Sequence, residues 1–252
     1  MASRLRIIGV IVVIAGLVTL GAAGYAWLRV QDGAAALQGF SEAQNVNLTY
    51  NDEGQLIDRG TTEGADAIYA LLVEDWKWPA SEGELDPNDP LVDTGTEYMY
   101  QMATIAYHTL HGIQNVVLTE RVEYDGDGDG SVPLGTPVYS PETLPEGVWD
   151  PAVEGFGDAI FEPGIYEVPV NERYWTEFNR THPLDGPTRE QAWAGTVHGL
   201  FAELGVGATT ASSLEMGQGI AMVTALIGAI FLVLGGGLIW VGMGKEREGA
   251  TA

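Results

Sequence analysis

The sequence predicts an α+β domain flanked by two transmembrane α-helices. Three observations carry that expectation. Two long uncharged apolar runs lie one near each end of the chain, a strongly acidic segment separates them, and that segment alternates between strand-like and helix-like periodicity. The runs cover residues 7–28 and 219–243, and each meets the roughly 20 apolar residues needed to cross a bilayer core. A backbone inside hydrocarbon must satisfy its own hydrogen bonds, and two isolated segments cannot close a barrel, so both runs are expected as helices. A cleavable signal peptide is the alternative for the first, given Arg4, Arg6 and the small residues near Ala22. Its length exceeds the usual apolar region of about 7 to 15 residues.

Flanking charge sets the expected orientation. Arg4 and Arg6 precede the first run while Lys245 and Arg247 follow the second, which predicts short cytoplasmic ends at residues 1–6 and 244–252 of a plasma-membrane protein. Residues 29–218 then form one extracytoplasmic domain. Residues 30–217 hold 33 of the 35 acidic residues against six basic ones, a formal charge of −27. Such a segment does not suit nucleic acid or anionic lipid surfaces, both of which require clustered Lys and Arg. Cations and basic partners are the compatible ligands, and adaptation to salty surroundings is a second reason for the acidity. Cysteine is absent, which removes disulfides, thiolate nucleophiles and Cys metal ligands.

Within the acidic segment, Val46, Leu48 and Tyr50 alternate with polar residues before the turn tetrad at 51–54, and Leu56 and Ile57 follow, predicting a β-hairpin. Ala67, Ile68, Leu71 and Leu72 share a helical face that ends before the segment Trp76-Lys77-Trp78-Pro79, because Pro79 disfavours helical geometry in its predecessor. The clearest helix is expected over residues 96–117, where Met99, Met102, Ala103, Ala106, Leu110, Ile113 and Val117 recur at spacings of three and four. Residues 116–124 read as a strand, 131–164 as Pro- and Gly-punctuated connection, and 165–170 as another short strand. A last amphipathic helix is expected over 188–204, with Trp193, Val197, Leu200, Phe201 and Leu204 on one face, followed by a small-residue linker at 205–213.

Two constellations could carry chemistry. Asp125, Asp127 and Asp129 alternate with glycine in a run that begins like an EF-hand calcium loop, but position twelve is Thr136 where a bidentate Glu is required. They are the candidate calcium ligands, set against the plain reading of a solvated turn. His108 and His111, three apart on the best helix, are the candidate transition-metal pair, with Glu120 or His182 as third ligand. The wheel puts both histidines on the polar side, where local hydrogen bonding is the ordinary role. No Gly-x-Ser-x-Gly elbow, Walker loop or dinucleotide fingerprint occurs, so no catalytic or organic-cofactor residue is assigned.

In the second apolar run Ala221, Ala225, Ala229 and Gly237 fall on a four-residue row that would let another helix approach closely, in a protein partner or a second copy. Neither run contains an acidic or basic residue, which speaks against an ion path through this chain alone. The layout, the stretch GADAIYALLVEDWKWP through EYMYQMATIAYHTLHGI, and the closing TVHGLFAELGVG before a span resemble two-pass envelope membrane proteins of high-GC actinobacteria. Some of those carry the label "aromatic ring-opening dioxygenase", but no iron-ligand set can be matched here residue by residue. The resemblance implies a plasma-membrane protein with both termini inside. The preferred expectation is a non-enzymatic partner-binding domain, with a calcium-binding module second and a metallohydrolase third.

Overall fold

In a computed structural model of the protein, the backbone is described for residues 2–250, and side chains for all of these except Glu82 and residues 245–250. Lys245 and Arg247, on which the orientation of the second span partly rests, therefore lie outside the described side chains. The chain mixes helices with small sheets, as expected, and two helices are long and apolar enough to cross a membrane: α1 (Ala2–Gln44) and α6 (Gly195–Ala250). Both run well past the apolar stretches, so α6 takes in the residues expected to form a linker at 205–213. The chain divides into two compact units. The first comprises the chain up to Leu48, Asp89–Glu97 and the chain from Gly207, and the second comprises Thr49–Asn88 and Tyr98–Val206.

The first unit is built on an antiparallel helix pair with a seam of small residues. A Cβ on Gly9 would lie 2.7 Å from the Gly235 carbonyl oxygen, and one on Gly16 would lie 2.9 Å from that of Gly228. One on Gly242 would meet the Ala2 carbonyl oxygen at 3.1 Å. Ala23 and Ala221 are buried at the next level along the same seam. The small residues thus recur every seven positions, at 9, 16 and 23 and at 221, 228, 235 and 242, a spacing that holds one face of each helix against the other. At 9, 16 and 235 only glycine admits such backbone approach, while the level of Ala23 and Ala221 takes alanine. The expected four-residue row is not this seam: Ala221 belongs to it, Ala225 is half-buried, and Ala229 and Gly237 are exposed. A four-residue step drifts about 40° per step around a 3.6-residue helix, so such a row leaves the contact face within two turns.

Away from the seam the pair is apolar and open. Ile11, Val18, Leu226 and Val233 are 59 to 75 % exposed, and fewer than one residue in five of either apolar window is buried. Beyond the apolar runs, Gly33 packs on Leu214 and Gly217 on Val30. The segment at 46–48 pairs with 90–92 through Val92 N–H to the Val46 carbonyl (2.9 Å) and Leu48 N–H to the Pro90 carbonyl (2.8 Å). Thr94 and Glu97 open helix α3 (Gly95–Leu110) with a reciprocal cap. The Thr94 hydroxyl oxygen accepts from Glu97 N–H at 3.3 Å, and the Glu97 carboxylate accepts from the Thr94 amide (2.9 Å), its hydroxyl (2.8 Å) and the Asp93 amide (3.1 Å). Glu97 is almost fully buried, and burial raises its pKa against the pull of those amides.

The second unit is α+β. The predicted hairpin survives as a single bridge, Tyr50 to Leu56, across a turn in which the Asn51 side-chain oxygen accepts from the amides of Glu53 and Gln55. Val46 and Leu48 do not take part, because their backbone is committed to residues 90–92. Helix α2 (Thr62–Ala70), capped by the Thr61 hydroxyl, widens into a π turn over Leu71–Asp75, closed by Trp76 N–H to the Leu71 carbonyl at 3.0 Å. Met99, Ala103, Ala106 and Leu110 of α3 are buried as the stripe predicts. The stripe then stops. Gly112 ends the helix, and the β-branched run beyond it forms β1 (Ile113–Leu118), in which Val116 is buried while Ile113 and Val117 face outward.

Strand β1 pairs antiparallel with β5 (Gly164–Pro169), and β2 (Val122–Tyr124) belongs to a different sheet, in the order β2, β4 (Ala159–Phe161), β3 (Val138–Tyr139). The strand expected over 116–124 is therefore two. Trp149, Phe161, Tyr166, Val168 and Leu184 fill the core between these sheets, and a second cluster gathers Ala106, Leu110, Val170, Phe178 and Trp193. The last amphipathic segment is also divided: α5 (Asp185–Ala192) ends at Trp193, α6 begins at Gly195, and Leu200 stays partly exposed while Val197 and Phe201 pack on the second cluster.

Candidate functional site

The acidic turn after β2 is positioned by strand register. Tyr124 of β2 pairs with Ala159 of β4, so the next residue out on each strand, Asp125 and Asp158, are brought face to face. Asp158 then accepts the Gly126 amide at 2.8 Å. Gly126 is obligatory, since a Cβ there would fall 2.2 Å from the Phe156 carbonyl oxygen. Gly128 and Gly130 adopt positive φ values of 74° and 87°, which folds the turn back on itself. Asp125 accepts amides from Gly128 (2.7 Å) and Gly130 (2.6 Å), while Asp127 accepts that of Asp129 (3.0 Å).

Carboxylate oxygens of Asp125, Asp127 and Asp158 lie within 4.8 Å of one another, the single group of three metal-ligating side chains among the described residues. Asp129 turns away and accepts the amide and hydroxyl of Ser131 at 2.9 and 2.7 Å. The Gly130 amide leads in lowering the pKa of Asp125. The Asp129 amide pulls that of Asp127 down too, but desolvation, the hydrogen bond to Asp125 and the charges of Asp129 and Asp158 outweigh it and raise Asp127. Alternation in sequence pointed to the turn; Asp158, 29 residues beyond Asp129, is found only through the β2–β4 register.

The two histidines are not brought to one point. His108 meets Asp58, Nε2 to Oδ1 at 3.0 Å, in a half-buried pair. His111 lies one residue past the end of α3, donates from Nδ1 to the Tyr107 carbonyl at 2.8 Å and has Glu172 at 3.4 Å from Nε2. His182, a conceivable third ligand, is buried in the core. Its ring stacks on Trp149 at 4.3 Å with Tyr124, Phe156 and Phe161 edge-on, and its Nδ1 accepts the amides of Leu184 and Asp185, both at 3.2 Å. Burial lowers its pKa to about 4, with the charge of Arg173 adding to the effect. Arg173 in turn pairs with the buried Asp185 at 2.6 Å. Asn179 donates to the Tyr124 hydroxyl at 2.8 Å.

The chain matches no known protein family, no curated protein and no solved structure.

Proposed function

We propose that the chain is a two-pass membrane protein that holds its acidic α+β region on the extracytoplasmic side, where it binds a partner, as an accessory subunit of a membrane complex does. One observation carries the reading: the helix pair closes its small-residue seam internally and turns its large apolar side chains outward over both runs. A soluble protein does not leave so large an apolar surface in water, whereas lipid solvates it. Arg4 and Arg6 favour a cytoplasmic N-terminus, and two crossings return the chain to the same side. A surface of charge −27 favours a basic partner or cations. Extraction in mild detergent followed by native mass spectrometry tests the partner reading. A stable complex larger than the protomer is expected, and a protein that runs as a bare monomer under every mild extraction would contradict it.

A second reading is supported by the convergence of Asp158 on Asp125 and Asp127. Three converging carboxylates, two on the turn and one immediately before β4, suit loose calcium binding, in the range of roughly 10⁻⁴ to 10⁻³ M found for extracellular modules. Calorimetry of the whole chain with calcium is the test, and an absence of heat at millimolar calcium would remove this reading.

A further inference from the structure

A cavity of about 360 Å³ lies in the second unit where the π turn passes the end of α3. It is lined by Leu71, by the exposed Asp75, by His111 and the largely exposed Glu172, and by Tyr107 and Tyr174. Two features of the backbone converge there. The π turn, an i→i+5 widening of a kind that recurs at functional sites, carries Leu71 and Asp75 together. Asn171 and Glu172 are consecutive non-glycine residues at positive φ, 54° and 59°, a conformation that disfavours a glutamate and persists only where the surroundings impose it. The imposing contacts are visible: Glu172 N–H donates to the Leu110 carbonyl at 3.0 Å, and Asn171 Nδ2 donates to Asp150 at 2.6 Å. Glu172 is thereby held beside His111 at the cavity rim.

The aromatic walls are fixed as well. Trp76 donates its indole N–H to the Tyr174 hydroxyl at 2.9 Å, and the Tyr174 ring stacks on Trp193 at 5.8 Å. Tyr107 lies 4.3 Å from the His111 ring, which its own carbonyl anchors. No Arg or Lys lines the cavity, so two carboxylates face at most one cation, the imidazole, and the cavity repels anions. Its size falls within the range of small-molecule sites. Tyrosine rings beside carboxylates suit the diffuse charge of an organic cation.

We infer that this cavity, bounded by Asp75, Tyr107, Glu172 and Tyr174, binds a small organic ammonium ion. The site would take its cation whether or not the acidic region also has a protein partner. The probe is choline, titrated into the full chain in detergent micelles and followed by calorimetry, with 3,3-dimethylbutan-1-ol as its uncharged carbon isostere. Saturable binding at one site is expected, with the isostere about tenfold or more weaker. Asp75→Asn and Glu172→Gln should each weaken choline severalfold at unchanged melting temperature, and Tyr174→Leu should weaken choline more than the isostere. Asp52→Asn, on the exposed turn at 51–54, should have no effect. The inference is overturned if choline does not saturate, if the isostere binds equally well, or if Asp52→Asn weakens binding as much as Asp75→Asn, which would mark diffuse attraction to an acidic surface.

Discussion

Replacing His182 with asparagine should remove the acid sensitivity that this buried imidazole gives the second unit. The imidazole is buried against Trp149 and accepts two amides at Nδ1, so the fold requires it neutral, and its pKa falls from 6.5 to about 4. A group whose folded pKa lies below its unfolded value takes up protons preferentially in the unfolded chain. Stability from His182 is therefore fully present above about pH 6.5 and lost as the pH falls toward 4. That displacement corresponds to about 3 kcal/mol in full, of which about 2 kcal/mol is lost between pH 7 and 4.5.

Asparagine places an acceptor where Nδ1 stands and cannot titrate. Asp185, which burial pushes up and Arg173 pulls down, acts in the opposite sense at the acidic end of this window, but it is present in both proteins and cancels in the difference. Denaturant unfolding of the full chain in micelles, followed by tryptophan fluorescence from pH 7.5 to 4.5, measures the effect. Wild type should lose about 2 kcal/mol more than His182→Asn over that range. Parallel pH dependence in the two proteins would refute the reasoning, whatever their absolute stabilities.

Three further outcomes follow from the geometry. Gly228→Leu should drive α1 and α6 apart, because its Cβ would meet the Leu20 amide nitrogen at 3.0 Å and the Gly16 carbonyl oxygen at 3.1 Å; the cost is about 1 to 3 kcal/mol. It should lower the yield of a disulfide engineered by Val30→Cys and Gly217→Cys, while Gly237→Leu, with no atom near its added carbon, leaves that yield unchanged. Thr94→Ala should cost about 1 kcal/mol by unfolding assays, and Glu97→Ala about 2 to 3 kcal/mol, because it strips acceptors from the amides of both Asp93 and Thr94. If calcium binds the acidic turn, Asp158→Asn should weaken it as much as Asp125→Asn does and Asp129→Asn much less, measured by calorimetry. The reverse order would place the ion elsewhere on the turn.

What could be read from residues alone follows a physical divide. The buried stripe of α3, the helix at 62–70 and the strand at 164–169 were legible because each depends on a local period and local breakers. The end of α3 was not, since Ile113 and Val117 continue the helical spacing by coincidence and only Gly112 and the β-branched residues beyond it reveal the change. Asp158 is not legible for another reason: its closeness to Asp125 is a property of strand pairing, which no local pattern encodes. The seam of α1 and α6 lay between these cases. A four-residue and a seven-residue row of small residues both occur in the second run, and only a partner helix distinguishes them. The π turn at Leu71–Asp75 left no sequence signal, and with it the cavity beside His111 stayed hidden.

The most direct test of membrane placement uses the absence of native cysteine. Ser3→Cys, ahead of the first apolar run, and Ser131→Cys, on the exposed acidic turn, would each be introduced singly and treated with a membrane-impermeant maleimide in intact cells. The account predicts labelling of Ser131→Cys in intact cells and of Ser3→Cys only after the membrane is permeabilised. Labelling of Ser3→Cys in intact cells, or protection of Ser131→Cys until permeabilisation, would contradict it.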